Sequence, residues 1–220
     1  MPKREEILRC FIQREFNVDV HHSLKKPTQE EFYTSEFDKD LQSLFKNLGG
    51  LLEKYPTGFR GFDIRLKNKI IELDEEQHFN RYRLATLDFS IYTEFQENYI
   101  KGYKQYCIEK EGECLKKTNK IKYWTTESSE KQFGKSDEFK KFINNVSARW
   151  KQRAFYDVLR DVTPSIKGYK VIRISIYDTV NILDKELIVA DILDDILNRD
   201  YQKCFKEYLE EVIGMPSSPT

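Results

Sequence analysis

The hydrophobic and polar positions of this chain change period along its length, and the clearest change lies between Gly58 and Phe79. Residues 62–66 alternate apolar and polar side chains, as a half-buried strand does. Residues 67–69 are a short polar turn, and residues 70–74 return as a second strand of similar length. This spacing predicts a β-hairpin.

Helical spacing predominates on both sides of this hairpin. The pattern predicts helices over residues 4–16, over 28–48 behind the capping-box residues Thr28 and Glu31, and over most of 79–110. Further helices are predicted over about 136–146, where Ser136 is the cap, and from 150 to Pro164. A strand over 169–177 follows Gly168, and an acidic helical segment follows over 187–213.

These elements predict an α/β fold, with a central mixed β-sheet flanked by helices. The 220 residues suit one domain, or one domain with an insertion. We place the core of a single domain, 1–220, in about residues 28–100 and 136–180. A Lys-rich insertion then covers about 105–135, and C-terminal helices cover 184–213.

Charge is balanced overall but unevenly distributed. The chain has 37 basic and 37 acidic residues, whereas residues 101–153 carry 14 basic and 7 acidic ones, and residues 184–211 carry 4 and 9. This asymmetry suits a basic surface for a polyanion and a separate acidic helical face. No apolar run is long enough to span a bilayer, and the first residues lack a signal-peptide core. With four scattered cysteines, we expect a protein of the reducing cytoplasm.

The hairpin concentrates acidic side chains near the predicted core. Asp63 lies on the first strand and Glu72 and Asp74 on the second, where residues two apart share a face. His78 follows closely. Acidic residues on strands often form only a solvated face, but Ile70-Ile71 start the second strand as a buried one. Three carboxylates at one place can hold Mg²⁺, which prefers oxygen ligands.

The insertion mixes lysines with aromatic rings that can stack on bases or wedge a duplex. The residues concerned are Lys116, Lys117, Lys120, Lys122, Tyr123 and Trp124. An alternative is a mobile loop with one buried tryptophan, and the pattern does not choose between the two. A zinc site built from Cys107, Cys114 and His21-His22 is a further alternative, although its spacing matches no standard zinc finger.

The hairpin sequence resembles a known family of enzymes. Glu72-Leu-Asp74-Glu-Glu-Gln-His78-Phe follows an Ile-Ile strand, and Phe62-Asp63 lies about ten residues upstream. This pattern is similar to the PD-(D/E)XK nuclease superfamily, in particular the branch with the very-short-patch repair endonucleases. A second block in the expected order, Asp157-Val-Leu-Arg160-Asp161 and then Gly168-Tyr-Lys-Val-Ile-Arg173-Ile, strengthens the resemblance.

The resemblance implies a restriction-endonuclease-like fold and a metal site. Asp63, Glu72 and Asp74 would bind Mg²⁺, for which Mn²⁺ can substitute, and His78 would contact the phosphate or move a proton. Glu53 is a weaker candidate for an additional acid ahead of the hairpin. Nearby cations that would contact DNA or stabilise negative charge in the transition state are Lys151, Arg153 and Arg160.

Three departures from the superfamily pattern bear on activity. Phe62 replaces a proline, Glu75 replaces a glycine common in the nearest branch, and Asp74 stands where the superfamily usually has lysine. The resemblance thus predicts a Mg²⁺-dependent DNA endonuclease of the restriction, repair or phage-defence type. Because restriction-type enzymes often dimerise to cut both strands, a homodimer is a further hypothesis. The competing hypothesis is a catalytically inactive nucleic-acid-binding or partner-docking domain on the same fold. A third hypothesis keeps catalysis but on RNA or branched DNA.

Overall fold

The computed structural model describes residues 3–20, 24–93, 97–144 and 146–214, and within them the chain is mixed α/β, as predicted. The elements in chain order are α1 (Lys3–Phe16), α2 (Gln29–Tyr33), α3 (Asp38–Asn47), β1 (Ile64–Leu66), β2 (Lys69–Asp74), α4 (Arg81–Thr86), α5 (Glu97–Glu109), α6 (Glu111–Lys117), α7 (Glu127–Phe133), α8 (Ala148–Lys167), β3 (Lys170–Ser175), β4 (Thr179–Ile182), β5 (Lys185–Ile188), α9 (Val189–Asp194) and α10 (Arg199–Ile213). Short 3₁₀ turns lie at Glu76–His78, Ser90–Tyr92 and Ile121–Tyr123.

The chain divides into two compact units. The sheet unit comprises the described parts of Met1–Lys25, Gly61–Asp74 and Tyr169–Thr220. The helical unit comprises the described parts of Lys26–Arg60 and Glu75–Gly168. None of the helices in the described ranges is both long and apolar enough to cross a membrane.

A small mixed sheet with the order β1-β2-β3 organises the sheet unit. Strands β1 and β2 form the predicted antiparallel hairpin, and Lys67 in its turn adopts a positive φ of 52°. Strand β3 pairs parallel to β2, from Lys69 opposite Lys170 to Asp74 opposite Ser175. Five of the six β2 residues are buried, as expected of a central strand that is covered on both faces.

The remaining elements of the sheet unit pack through apolar side chains. Phe11 of α1 contacts Phe205 of α10, with ring centroids 5.3 Å apart, and α1 also packs on α9. The Lys69 ammonium donates to the carbonyl oxygen of Ile213 at 2.6 Å. A cation at the last carbonyls of a helix complements its dipole, so this contact ties β2 to the end of α10.

Helix α8 is the long central element of the helical unit. Its N-terminus is capped by Ser147, whose hydroxyl accepts from the Trp150 amide, and it ends at Gly168 in the left-handed conformation that glycine adopts without strain. Phe155 on its buried face contacts Phe45 of α3, with centroids 5.3 Å apart. The predicted helix was expected to stop at Pro164, but it continues for three more residues.

One fully buried polar cluster joins α4 to α8 in this unit. The Arg83 guanidinium lies 2.8 Å from the Asp161 carboxylate, and the Tyr92 hydroxyl donates to the same carboxylate oxygen at 2.6 Å. Burial raises the pKa of Tyr92 well above its usual range. Asp161, expected from the second block of the resemblance, is therefore held inside the fold.

Several element predictions were wrong in instructive ways. The helix predicted over 136–146 is absent from its described residues, because the Asp137 carboxylate accepts from the amides of Asn144 (3.0 Å) and Val146 (2.9 Å) and holds a loop. The helix predicted over 28–48 is two helices, although its Thr28–Glu31 capping box is present. A hairpin, β4–β5, precedes the C-terminal helices and was not predicted.

Candidate active site

The hairpin places Asp63 and Glu72 opposite each other at its open end. The register that pairs Ile64 with Ile71 brings these two residues face to face just beyond β1. The Asp63 amide donates to Glu72 Oε1 at 3.3 Å, and the Leu73 amide donates to Asp63 Oδ2 at 3.1 Å. Glu72 is only 2% exposed, whereas Asp63 is half-buried. Backbone amides therefore fix two carboxylates on adjacent strands.

The third predicted acid has a cation beside it. Both Asp74 carboxylate oxygens lie 2.8 Å from Nη1 of Arg173, and both side chains are 2% exposed. The parallel register pairs Arg173 with Glu72, so the arginine shares a face of the sheet with Glu72 and Asp74. Asp74 is thus engaged in a buried ion pair whose cation comes from the neighbouring strand β3.

The described residues contain no group of three or more His, Cys, Asp or Glu side chains arranged to hold a metal ion. Asp63, Glu72 and Asp74 thus do not form such a group among these residues, and Asp74 lies against Arg173. Asp63 and Glu72 remain a pair of neighbouring carboxylates. Mg²⁺ is commonly bound through one or two carboxylates, with waters and substrate phosphates completing the shell.

His78 belongs to the helical unit, where it contacts α8. Its Nδ1 lies 2.9 Å from Oδ2 of Asp157, a carboxylate that is fully buried, while the imidazole is 22% exposed. The other oxygen of Asp157 lies 3.2 Å from Nη1 of Arg160. A carboxylate at Nδ1 favours the tautomer that leaves Nε2 as an acceptor, as in a catalytic dyad. Asp157 is the functional candidate that the hairpin motif alone did not single out.

The predicted nucleic-acid contacts divide between exposed and buried side chains. Four lysines in and after α6 are exposed: Lys116, Lys117, Lys120 and Lys122. Trp124 is fully buried, its Nε1 donates to the Asp137 carbonyl at 3.0 Å, and its ring packs on Trp150. The ring has no surface to offer a nucleobase, which corrects the stacking prediction for this residue.

The predicted cations of α8 lie on different sides of the helix. The Lys151 ammonium lies over the Tyr82 ring, 5.5 Å from its centroid, and burial lowers the pKa of this lysine. Arg153 donates to Oε1 of Gln77 at 2.7 Å, and Arg160 shares its helix face. Two further arginines, Arg149 and Arg60, were not predicted as contacts, although Arg149 precedes Arg153 by four residues, one helical turn.

Two other predicted sites, the additional acid Glu53 and the zinc site, are not supported by local geometry in the described residues. Glu53 is exposed in a stretch without helix. Cys107 and Cys114 are buried thiols, and burial raises the pKa of Cys114 to about 12, which disfavours the thiolate that zinc requires. The histidine pair of the zinc alternative, His21-His22, lies outside the described residues.

Comparison with protein families places the chain in one of them. A family model described as "Family of unknown function (DUF7255)" matches residues 43–195, most of the chain, and the chain therefore belongs to that family. Searches of curated proteins and of solved structures gave no match.

Proposed function

We propose that this member of DUF7255 is a metal-dependent DNA endonuclease with a restriction-endonuclease-like fold, acting in restriction, repair or phage defence. The single observation that carries the proposal is the Asp63–Glu72 pair, fixed by backbone amides at the end of an antiparallel hairpin. A parallel strand bearing Arg173 lies beside that hairpin. This combination joins oxygen ligands to a nearby cation, the elements that phosphodiester hydrolysis requires.

The donor set of the hairpin fits a hard divalent cation. Asp63 and Glu72 offer carboxylate oxygens, and no sulfur or imidazole ligand adjoins them on the two strands. These two side chains would hold Mg²⁺ or Mn²⁺. When bound, such an ion polarises the scissile phosphate and lowers the pKa of an attacking water.

In this proposal Arg173 is the cation nearest to the position of the missing superfamily lysine, but its role differs. An arginine stays protonated at every pH where the chain is folded, so it cannot accept a proton from water as a lysine can. Its guanidinium instead orients Asp74, 2.8 Å away, and places this ion pair beside Glu72 on the neighbouring strand. In this proposal the proton of the attacking water passes to a solvent water molecule, and the leaving oxygen takes up a proton from solvent.

His78 is the residue that the resemblance assigns to proton movement or phosphate contact. Its Nδ1 contact with Asp157 orients the ring for such a role. This assignment rests on the resemblance and on the local geometry of the helical unit.

A non-catalytic nucleic-acid-binding or partner-docking domain is the second candidate. The observation that favours it is the engagement of Asp74 by Arg173, together with the absence, in the described part of the chain, of a three-ligand group. A pair of carboxylates held by backbone amides can also be a purely structural end to a hairpin.

Nicking of supercoiled plasmid with Mg²⁺ or Mn²⁺ separates the two candidates. We expect cleavage by the wild type and a loss of about a thousandfold in Asp63→Asn and Glu72→Gln, since metal catalysis contributes several kcal/mol. Asp184→Asn, an exposed carboxylate in the β4–β5 turn, is the matched control and should cleave normally. A wild type that binds DNA but cuts no duplex, mismatched, branched or RNA substrate supports the second candidate.

The proposal also includes a cytoplasmic location and a homodimer. All four cysteines are free thiols, which supports a reducing compartment such as the cytoplasm. Enzymes that cut both strands often act as dimers and nickases as monomers. The ratio of linear to nicked plasmid, measured beside the solution mass, therefore tests the homodimer proposal.

A further inference from the structure

One face of α8 in the helical unit carries a stripe of arginines. Arg149, Arg153, Tyr156 and Arg160 recur at intervals of four, three and four residues, which places them along one side of a helix. At 1.5 Å per residue, the stripe is about 16 Å long. Arg60 also exerts a like-charge effect on Arg149, so the positive charge extends beyond α8.

Neutral oxygens, and not carboxylates, hold the first two guanidinium groups of this stripe. Nη1 of Arg149 donates to Oε1 of Gln152. Nη1 of Arg153 donates to two oxygens of Gln77, the backbone carbonyl at 3.2 Å and Oε1 at 2.7 Å. Within the described residues, neither arginine has a carboxylate within ion-pair distance. These two guanidinium groups are therefore positioned without a direct ion pair, whereas Nη1 of Arg160, at the end of the stripe, lies 3.2 Å from Asp157.

A hydrogen-bonded amide network fixes the orientation of the stripe. Gln152 Nε2 donates to Oε1 of Gln132 at 2.9 Å, and Gln132 Nε2 donates to the Tyr156 hydroxyl at 3.1 Å. Burial raises the pKa of Tyr156, so its phenol stays protonated. The side chains are preorganised before any ligand binds, which reduces the entropy lost on binding.

The guanidinium groups of this stripe repel one another. Like charges four residues apart destabilise a helix, and Arg149 and Arg153 have this spacing. Burial lowers the pKa of Arg149, and the neighbouring charges of Arg153, Arg60 and Arg160 lower it further. An anion bound on the stripe would relieve this repulsion.

We propose that the stripe of Arg149, Arg153, Tyr156 and Arg160, extended by Arg60, binds the phosphodiester backbone of a nucleic acid. A guanidinium binds phosphate through paired N–H donors, and a row of them about 16 Å long matches about five phosphates of one strand at 3.4 Å each. The inference rests on the proposed function only for the identity of the polyanion. It adds Arg149 and Arg60 to the binding surface and assigns Lys151 to packing.

The test is DNA binding without metal, measured by fluorescence anisotropy in EDTA at several salt concentrations. Each phosphate contact contributes about 0.9 to the slope of log affinity against log salt on duplex DNA. The double variant Arg149→Gln/Arg153→Gln should lower that slope by about two and weaken binding on the order of tenfold. The matched control is Lys185→Gln/Lys203→Gln, which removes two exposed charges from the sheet unit and should change neither quantity.

Further variants in the same DNA-binding measurement test whether charge or folding causes the effect. Arg149→Lys/Arg153→Lys retains the charge and should retain the salt slope. If the glutamine pair does not fold, Arg60→Gln in an exposed loop should lower the slope by about one. An unchanged slope in a folded stripe variant, an equal change in the control, or inorganic phosphate competing as well as the oligonucleotide would each overturn the proposal.

Plasmid nicking by the wild type, measured beside its DNA binding, separates this inference from the nuclease proposal. A wild type that binds through the stripe but never cleaves contradicts the nuclease and keeps the stripe. A protein that cleaves, while stripe variants bind with an unchanged salt slope, keeps the nuclease and contradicts the stripe.

Discussion

The acidic hairpin and helix α8 both carry charged groups into the interior, but they hold them with different partners. On the hairpin, Asp63 and Glu72 accept from backbone amides of the facing strand. On α8, Asp157 and Asp161 are held by side chains that come from distant parts of the sequence. Carboxylates positioned by a strand register are specified locally, whereas those on the helix depend on long-range packing.

The two aspartates of α8 also differ from each other, although they are one turn apart. Asp161 contacts Arg83 and Tyr92, which are both buried. Asp157 contacts His78 and Arg160, whose side chains are 22% and 13% exposed. A group whose partners reach the surface can respond to a ligand, and one whose partners are all buried mainly stabilises the fold. The variants below test this distinction.

The largest expected effect is on stability, from Arg83→Met. This change leaves the buried Asp161 carboxylate without its cation, and breaking a buried pair on one side costs about 3–5 kcal/mol. Urea denaturation measures the free energy of unfolding. Lys141→Met, which removes an exposed pair with Glu138, is the control and should cost less than about 0.5 kcal/mol. A loss below about 1 kcal/mol in Arg83→Met would show that this cluster does not stabilise the fold.

The corresponding pair in the sheet unit gives a sharper comparison. Arg173→Met alone should destabilise the chain by about 3 kcal/mol, because Asp74 stays buried beside an uncharged group. Asp74→Leu/Arg173→Met should recover most of that loss, since apolar replacement of both partners is often neutral. If the proposed function is correct, the folded double variant still fails to nick plasmid. Normal nicking by the double variant would remove Asp74 and Arg173 from the reaction.

A smaller effect is expected at His78 when Asp157 is changed to Asn. A hydrogen bond to a charged group contributes about 1.5–3 kcal/mol, so losing the carboxylate should change the ratio of the two imidazole tautomers at least about tenfold. Long-range ¹H–¹⁵N spectra at a pH where the ring is neutral report this ratio. Asp161→Asn is the matched control on the same helix and should leave it unchanged. Equal spectra for wild type and Asp157→Asn would contradict an orienting role.

Sequence reasoning located the hairpin and its facing acids because both follow from short-range rules. Alternation and a polar turn set the register, and the register sets which side chains face each other. It did not find that Arg173 engages Asp74, since the β2–β3 pairing spans about a hundred residues of chain and only the fold reveals it.

Two other outcomes depend on where single side chains point. The stretch after Ser136 has helical spacing, but the Asp137 carboxylate binds later backbone amides and prevents the helix. The lysines around Trp124 left both an exposed and a buried ring open, and the ring lies in the core against Trp150. Composition indicated the polarity of the segment and not the direction of its one large side chain.

The smallest predicted effect concerns an ion pair at the edge of the helical unit. The Lys167 ammonium, 2.5 Å from Oε1, and then the Thr28 amide lower the pKa of Glu31 from its ordinary 4.5 to about 2. Because the folded-state pKa is the lower one, the stabilisation is fully present above about pH 4.5 and is lost as the pH falls toward 2. Glu31→Gln removes the charge while glutamine still completes the capping box. Thermal unfolding from pH 7 downward should give a difference from wild type that is small at neutral pH and vanishes in acid. A Glu31→Gln difference that stays constant with pH would contradict the assignment.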